Sequence, residues 1–120
     1  MIINKTKNKV IAKEIILCNT AWSSMRGLMF RKKLEKQQCL LIDLHKDCNA
    51  AIHMVFVNFP IDVIWLNSKK KVVDFSINLK PYTLYKSPKK FARYILELPS
   101  GTISKMNLSI GDSFCFNLVE

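Results

Sequence analysis

A chain of 120 residues, 49% of them hydrophobic and 10% aromatic, can bury about two thirds of the surface its unfolded form exposes, which removes any need for metal or disulfide staples, and its low glycine count argues against a loop-dominated or disordered chain. The 19 Lys and Arg against 9 Asp and Glu give a net charge of +10, so the surface potential favours anionic partners: nucleic acid, an acidic protein or an anionic headgroup. A lysine-rich composition with no partner at all satisfies the same number. The three glycines include no Gly-rich phosphate loop, which excludes the common nucleotide-binding motifs.

The first predicted element is a strand from Lys9 to Cys18, where the β-branched run suits a pleated, half-buried surface. Asn19 or Thr20 then offers a helix cap, and Trp22, Met25 and Met29 recur at helical spacing, which predicts a short helix ending near Gly27. A basic cluster, Arg31 to Lys33, precedes a second strand over Gln38 to Leu44. The stretch from Ala51 to Asn67 is the most apolar of the chain. His53, Asn58, Pro60 and Asp62 interrupt it before a membrane-spanning run of roughly 20 residues accumulates, so it reads as two buried strands, about Ile52 to Val57 and Asp62 to Asn67, joined at a proline bend.

Lys71 to Leu79 shows strict period-two alternation. Val73, Phe75, Ile77 and Leu79 are expected inward and Asp74, Ser76 and Asn78 outward, with a hairpin to the strand before. Lys80 to Lys90 has no period and reads as a long, flexible, exposed loop. Ala92 to Leu98 returns to strand, Ser100 or Thr102 caps a one- to two-turn helix carrying Ile103 and Met106, and Ile110-Gly111-Asp112 turns into a last strand with Phe114, Phe116 and Leu118 inward. About seven strands and two short helices predict a single α+β domain over residues 1–120, built on a mainly antiparallel, strongly curved sheet or small barrel.

Cys18, Cys39, Cys48 and Cys115 show neither Cys-x-x-Cys spacing nor a zinc ligand set and are expected to be reduced. With His45 and His53 as its histidines, the chain offers no His-rich metal centre; neither a metal nor a cofactor is expected. The start lacks the apolar core of a signal peptide, so the expected location is cytoplasmic. No nucleophile or metallohydrolase motif is present, which leaves enzyme status without support.

Four residue groups carry possible chemistry. His53, an imidazole in an apolar run, can serve as a base or ligand if a carboxylate such as Asp62 orients it; the plainer reading is a hydrogen bond to backbone. Asp62 follows a proline turn, where a carboxylate accepts turn amides. Glu97, if covered, needs a partner; Arg93, two pleats away, is too distant, which leaves Arg26 or Arg31 to supply the cation. Lys86, Lys89, Lys90 and Arg93, interleaved with Tyr82, Tyr85 and Phe91, suit stacking on unpaired bases while the cations track phosphates, against the commoner reading of a solvated loop.

Several fragments together resemble the domain of unknown function 192 family. Gly27-Leu28-Met29-Phe30-Arg31 is similar to its Gly-Leu-Met-Phe-Arg signature, Pro60 to Leu66 to its Pro-hydrophobic-Asp strand, Tyr94 to Gly101 to its Tyr-Val-Leu-Glu-Leu-Pro-Ala-Gly segment, and Ile110-Gly111-Asp112 to its closing turn. Asn67 stands where an acidic residue is frequent and Ser100 where Ala is usual. Ile52-His53-Met54 replaces a Trp-Met-Lys type of segment, as in archaeal-type members. The resemblance implies a compact β-rich α+β domain and supplies no activity or catalytic residue. Arg26, Arg31, His53, Asp62 and Glu97 lie in or beside its fragments, which makes them a candidate pocket.

The leading expectation is therefore a monomeric, cytoplasmic binding or accessory domain with a basic surface for an anionic partner such as RNA or a ribonucleoprotein. The alternative is a small enzyme or small-molecule binder using the Arg, His, Asp and Glu pocket.

Overall fold

The computed structural model describes residues 1–20 and 33–117. Its strands are β1 (Ile2–Asn4), β2 (Lys9–Ala12), β3 (Glu14–Cys18), β4 (Gln38–Cys48), β5 (Ile61–Leu66), β6 (Val72–Leu79), β7 (Ala92–Pro99) and β8 (Phe114–Phe116). They form two sheets. The smaller is antiparallel with order β2-β1-β8; the larger has order β3-β4-β7-β5-β6, with β3 parallel to β4 and all other neighbours antiparallel.

The expected α+β domain with two helices and a curved sheet or small barrel is thus corrected. Neither sheet closes on itself, since β3 and β6 stand at opposite edges of the larger one. The single helical element among the described residues is one 3₁₀ turn, Ile103–Lys105. Thr102 was expected to cap a longer helix, but its hydroxyl donates to the Pro99 carbonyl at 2.6 Å instead, and Asn107 leaves the turn with φ of 50°, a left-handed conformation that no α-helix continues through. The helix expected to end near Gly27 falls mostly on residues outside the described ones.

The predicted strand Lys9 to Cys18 is two strands. The chain bends at Lys13, where the amides of Lys13 and Glu14 both donate to the Gln37 carbonyl at 3.0 Å, so β2 joins one sheet and β3 the other. The apolar hub also divides. Its second half is β5, buried at every position, whereas Ile52 to Val57 makes one isolated bridge, Ile52 to Lys86, and then turns through Phe56 at φ of 58°. In β6 the strict alternation fails. Register shifts against β5 at Ile61/Val63 and Trp65/Leu66 leave Val72 and Leu79 buried and Ile77 52% exposed.

Both faces of the larger sheet are covered, which explains why β5 reads as a continuous apolar run rather than an alternating one. Leu41, Ile64, Leu66, Leu96 and Leu98 pack toward the smaller sheet with Ile2, Ile11, Phe114 and Phe116. Leu40, Ile42, Val63, Trp65 and Ile95 point the other way, onto Ala50, Ile52, Met54 and Val57. Trp65 is fully buried there, and its indole N–H donates to the Ala50 carbonyl at 2.8 Å, which fixes the covering segment to the sheet.

Candidate functional site

Five acidic or amide side chains are buried, and their surroundings differ. Asp112 accepts from the Asn4 amide at 2.9 Å and from the Ser109 N–H at 3.0 Å and pairs with Lys7 at 3.3 Å. Burial alone would raise its carboxyl, but these donors and the lysine charge outweigh burial and hold it below the usual carboxylate range. Asp62, fully buried, accepts from the Asn78 N–H at 2.8 Å and the Ile103 N–H at 2.9 Å. It therefore clamps β6 and the 3₁₀ turn to β5.

Glu97 has no such partners. It is 5% exposed, lies between Leu40 and Val63 in register, and makes no side-chain hydrogen bond or ion pair among the described residues. Burial pushes its carboxyl up to about 8. The nearby Cys39 thiol is raised as well, by burial first and by the charge of Glu97 second.

Residues directly opposite in a ladder share a face and successive residues alternate. Asp62 stands opposite Leu98, so it faces the smaller sheet, whereas Glu97 points to the other side with Val63. The two carboxylates of the expected pocket are on opposite faces and do not share a cavity. His53 is exposed on the covering segment, and its Nδ1 accepts the Val55 N–H at 3.2 Å; it meets neither carboxylate. Arg26 and Arg31 lie outside the described residues.

The second group, residues 80–91, crosses the face that carries Glu97. It is irregular but pinned: Ile52 and Lys86 exchange two backbone hydrogen bonds at 2.8 and 2.9 Å, Met54 donates to the Thr83 carbonyl at 2.6 Å, and the Lys89 N–H reaches Asp74 at 2.9 Å. The aromatic rings nonetheless point out, Tyr82 at 59%, Tyr85 at 63% and Phe91 at 66% exposure. Lys86, Lys89 and Lys90 are exposed and have no carboxylate partner among the described residues. Arg93 does have one. Its Nε and a terminal nitrogen grip both Asp43 oxygens at 2.9 and 3.2 Å, and the guanidinium lies 4.8 Å from the Tyr94 ring centre, so its charge is already matched.

Asp43 is the partner that the sequence did not reveal. It sits at the irregularity in β4, where His45 has φ of 68° and donates its N–H to Asp43 at 2.8 Å. Burial would raise the Asp43 carboxyl, but the hydrogen bonds from Arg93 and His45 and the charge of Arg93 outweigh it and lower it. The pleat spacing that separates Arg93 from Glu97 says nothing of a carboxylate on the next strand.

Cys39, Cys48 and Cys115 are free thiols. Among the described residues, no group of three His, Cys, Asp or Glu is arranged to hold a metal ion, and no helix is long and apolar enough to cross a membrane.

This geometry has relatives. A protein of unknown function from Novosphingobium aromaticivorans has the same fold, with a TM-score of 0.86 at 20% identity over 96% of this chain and 82% of that one. The UPF0127 protein TK1120 of Thermococcus kodakarensis is 41% identical over 120 residues, covering 100% of this chain and 75% of its own length. The UPF0127 protein PF1050 of Pyrococcus furiosus is 38% identical over 115 residues, covering 96% and 97%. The family described as DUF192, "Uncharacterized ACR", matches residues 2–116, and the chain, from the Pro-Ile-Asp segment that leads into buried β5 to the Leu-Glu-Leu-Pro segment that carries Glu97, belongs to that family.

Proposed function

We propose that this protein is a non-enzymatic binding domain whose segment 80–91 holds single-stranded RNA, free or within a ribonucleoprotein. One observation carries the reading: Tyr82, Tyr85 and Phe91 keep well over half of their surface in water on a segment whose backbone is fixed by hydrogen bonds to residues 52–57. Rings that serve a fold are normally buried against it. Rings held outward on a fixed backbone, among lysines with no acidic partner, make a stacking platform with cations to neutralise phosphates. The setting this reading implies is a cytoplasmic monomer.

The test is binding of short unstructured RNA, measured by fluorescence anisotropy at two salt concentrations. The expected result is affinity that falls steeply with salt, in proportion to the phosphates neutralised, and that drops about tenfold or more when Tyr85 or Phe91 is changed to Ala. Absent binding, or binding that ignores both salt and the rings, overturns it.

A second reading rests on Glu97. A carboxyl buried without a partner among the described residues and pushed up to about 8 is a group that can give or take a proton or hold a cationic ligand, which would make the protein a small-molecule binder or small enzyme. On this reading the site lies on the face bearing Glu97, and Asp62, which stands opposite Leu98 and faces the smaller sheet, takes no part in it. A ligand retained through purification at high salt, and lost from Glu97→Gln, would favour this reading over the first.

A further inference from the structure

Away from segment 80–91, at the other end of β7, a cleft of about 320 Å³ opens between β2, the residues leading into β4 and the turn after β7. Positions 9, 36 and 105, scattered through the sequence, each bring a lysine to its wall. All three are exposed, and among the described residues none has an acidic partner and no carboxylate lines the cleft. The acids in nearby sequence are engaged: Glu35 pairs with Lys33 at 3.4 Å, and Glu14 accepts from the Gln38 amide at 3.3 Å.

Three like charges around a concavity repel one another, and low-dielectric walls focus their field onto its centre. The wall hydroxyls do not supply competing donors. The Ser100 O–H donates to Asn78 at 2.8 Å and the Thr102 O–H to the Pro99 carbonyl at 2.6 Å, so the charged side-chain donors facing a guest are the lysine ammoniums, with the neutral Gln37 amide beside them. Compact ammonium groups, each a point charge with three rotatable donors, can bind the several oxygens and multiple charge of a phosphate. The buried Ile11 and Met106 add an apolar floor, and the volume is at the lower end of small-molecule sites, about 300 to 1,000 Å³.

We propose that this cleft binds a small phosphorylated molecule, with Lys9, Lys36 and Lys105 gripping its phosphate oxygens. The site is independent of the RNA surface and stands or falls separately from it.

The probe is inorganic pyrophosphate, titrated calorimetrically into the full chain at low ionic strength. The expected result is saturable one-to-one binding that weakens about tenfold for each of Lys9→Ala, Lys36→Ala and Lys105→Ala, the loss of one charged hydrogen-bonding group. Lys36→Arg retains binding, and the remote pair Lys89→Ala/Lys90→Ala leaves it unchanged. All of these positions are exposed, and equal thermal midpoints confirm that the variants are folded. No saturable heat at millimolar pyrophosphate, or an equal loss from the remote pair, overturns the site. So does displacement of pyrophosphate by a short single-stranded RNA whose own affinity depends on Lys36, which would make the cleft part of a polymer track.

Discussion

The two faces of the larger sheet are closed in different ways. One is covered by a second sheet, and the buried carboxylate on that side, Asp62, has an amide donor for each of its oxygens. The other is covered by irregular chain, residues 50–57 with 80–91 beside them, and the carboxylate there, Glu97, has none among the described residues. Two acids one pleat apart across neighbouring strands thus have different surroundings: both Asp62 oxygens accept backbone amides, and burial penalises the charged form of Glu97. A sheet cover supplies regular partners and leaves little to spare, whereas an irregular cover leaves a proton-holding group inside and aromatic rings outside. That is why both functional readings fall on the same face.

The largest expected effect comes from removing the charge of Glu97. The folded protein keeps this carboxyl protonated up to about pH 8, against an ordinary value of 4.5. Between those values the unfolded chain binds fewer protons than the folded one, so stability falls as pH rises, and it levels off above about 8. The shift corresponds to a loss of the order of 5 kcal/mol across that window. Glu97→Gln should abolish the slope, matching the unmodified protein near pH 5 and exceeding it by several kcal/mol at pH 9, in urea unfolding followed by circular dichroism. A variant with the same slope would show that Glu97 is charged and matched in the folded state.

Asp62 should behave in the opposite sense. Asp62→Ala leaves the Asn78 and Ile103 amides without acceptors and should cost about 3 kcal/mol, with faster hydrogen exchange at Ile103 as its local signature. Asp62→Asn, which keeps one good acceptor, should cost about half of that. If Asp62→Ala were harmless while Glu97→Ala unfolded the protein, the contrast between the faces would be reversed.

How much of this contrast was legible in the sequence follows from the range of the signals. The fully buried β5 was visible as an apolar run; Asp62 was expected to accept amides of the proline turn before it, but its donors are Asn78 and Ile103, far along the chain. Local rules also placed β6 and β7 within one or two residues. What was invisible depends on pairing across strands. The split at Lys13 is made by the Gln37 carbonyl, the fate of Arg93 by Asp43 fifty residues earlier, and the failed alternation in β6 by register shifts against β5. The stretch from Ile52 to Val57 has strand composition, but the chain it meets at Lys86 is irregular, so the backbone turns where no ladder continues. Three lysines that share a cleft from positions 9, 36 and 105 leave no sequence pattern at all.

A smaller effect tests the acid side. Asp43 is held below its ordinary value of 3.8, so its contribution is present above that value and is lost as pH falls through the lower folded one. Arg93 is partly exposed, with 30% of its side chain in water, and screening reduces the pair to about 1 kcal/mol. Arg93→Met should therefore cost about that much at pH 7 and move the acid unfolding limb to higher pH, leaving the alkaline slope from Glu97 untouched. Additivity with Glu97→Gln would show that the two acids titrate independently.

The smallest expected change in stability separates covering from binding on the irregular face. Tyr82 has φ of 62°, within a turn closed by the Thr83 hydroxyl and the Lys80 carbonyl at 2.7 Å. A left-handed conformation costs a tyrosine roughly 1 kcal/mol that glycine does not bear, while glycine adds unfolded-state freedom worth about 0.5 to 1 kcal/mol in the other direction. The ring is 59% exposed, so little burial is lost. Tyr82→Gly should leave the unfolding midpoint nearly where it was, within about 0.5 kcal/mol. If the ring stacks on a base, the same substitution removes about 1 to 3 kcal/mol of binding, and RNA affinity falls about tenfold with the fold intact. Equal affinity and equal stability would mean that a strained, exposed ring does nothing for either, and the outward aromatics would have to be read as part of the cover alone.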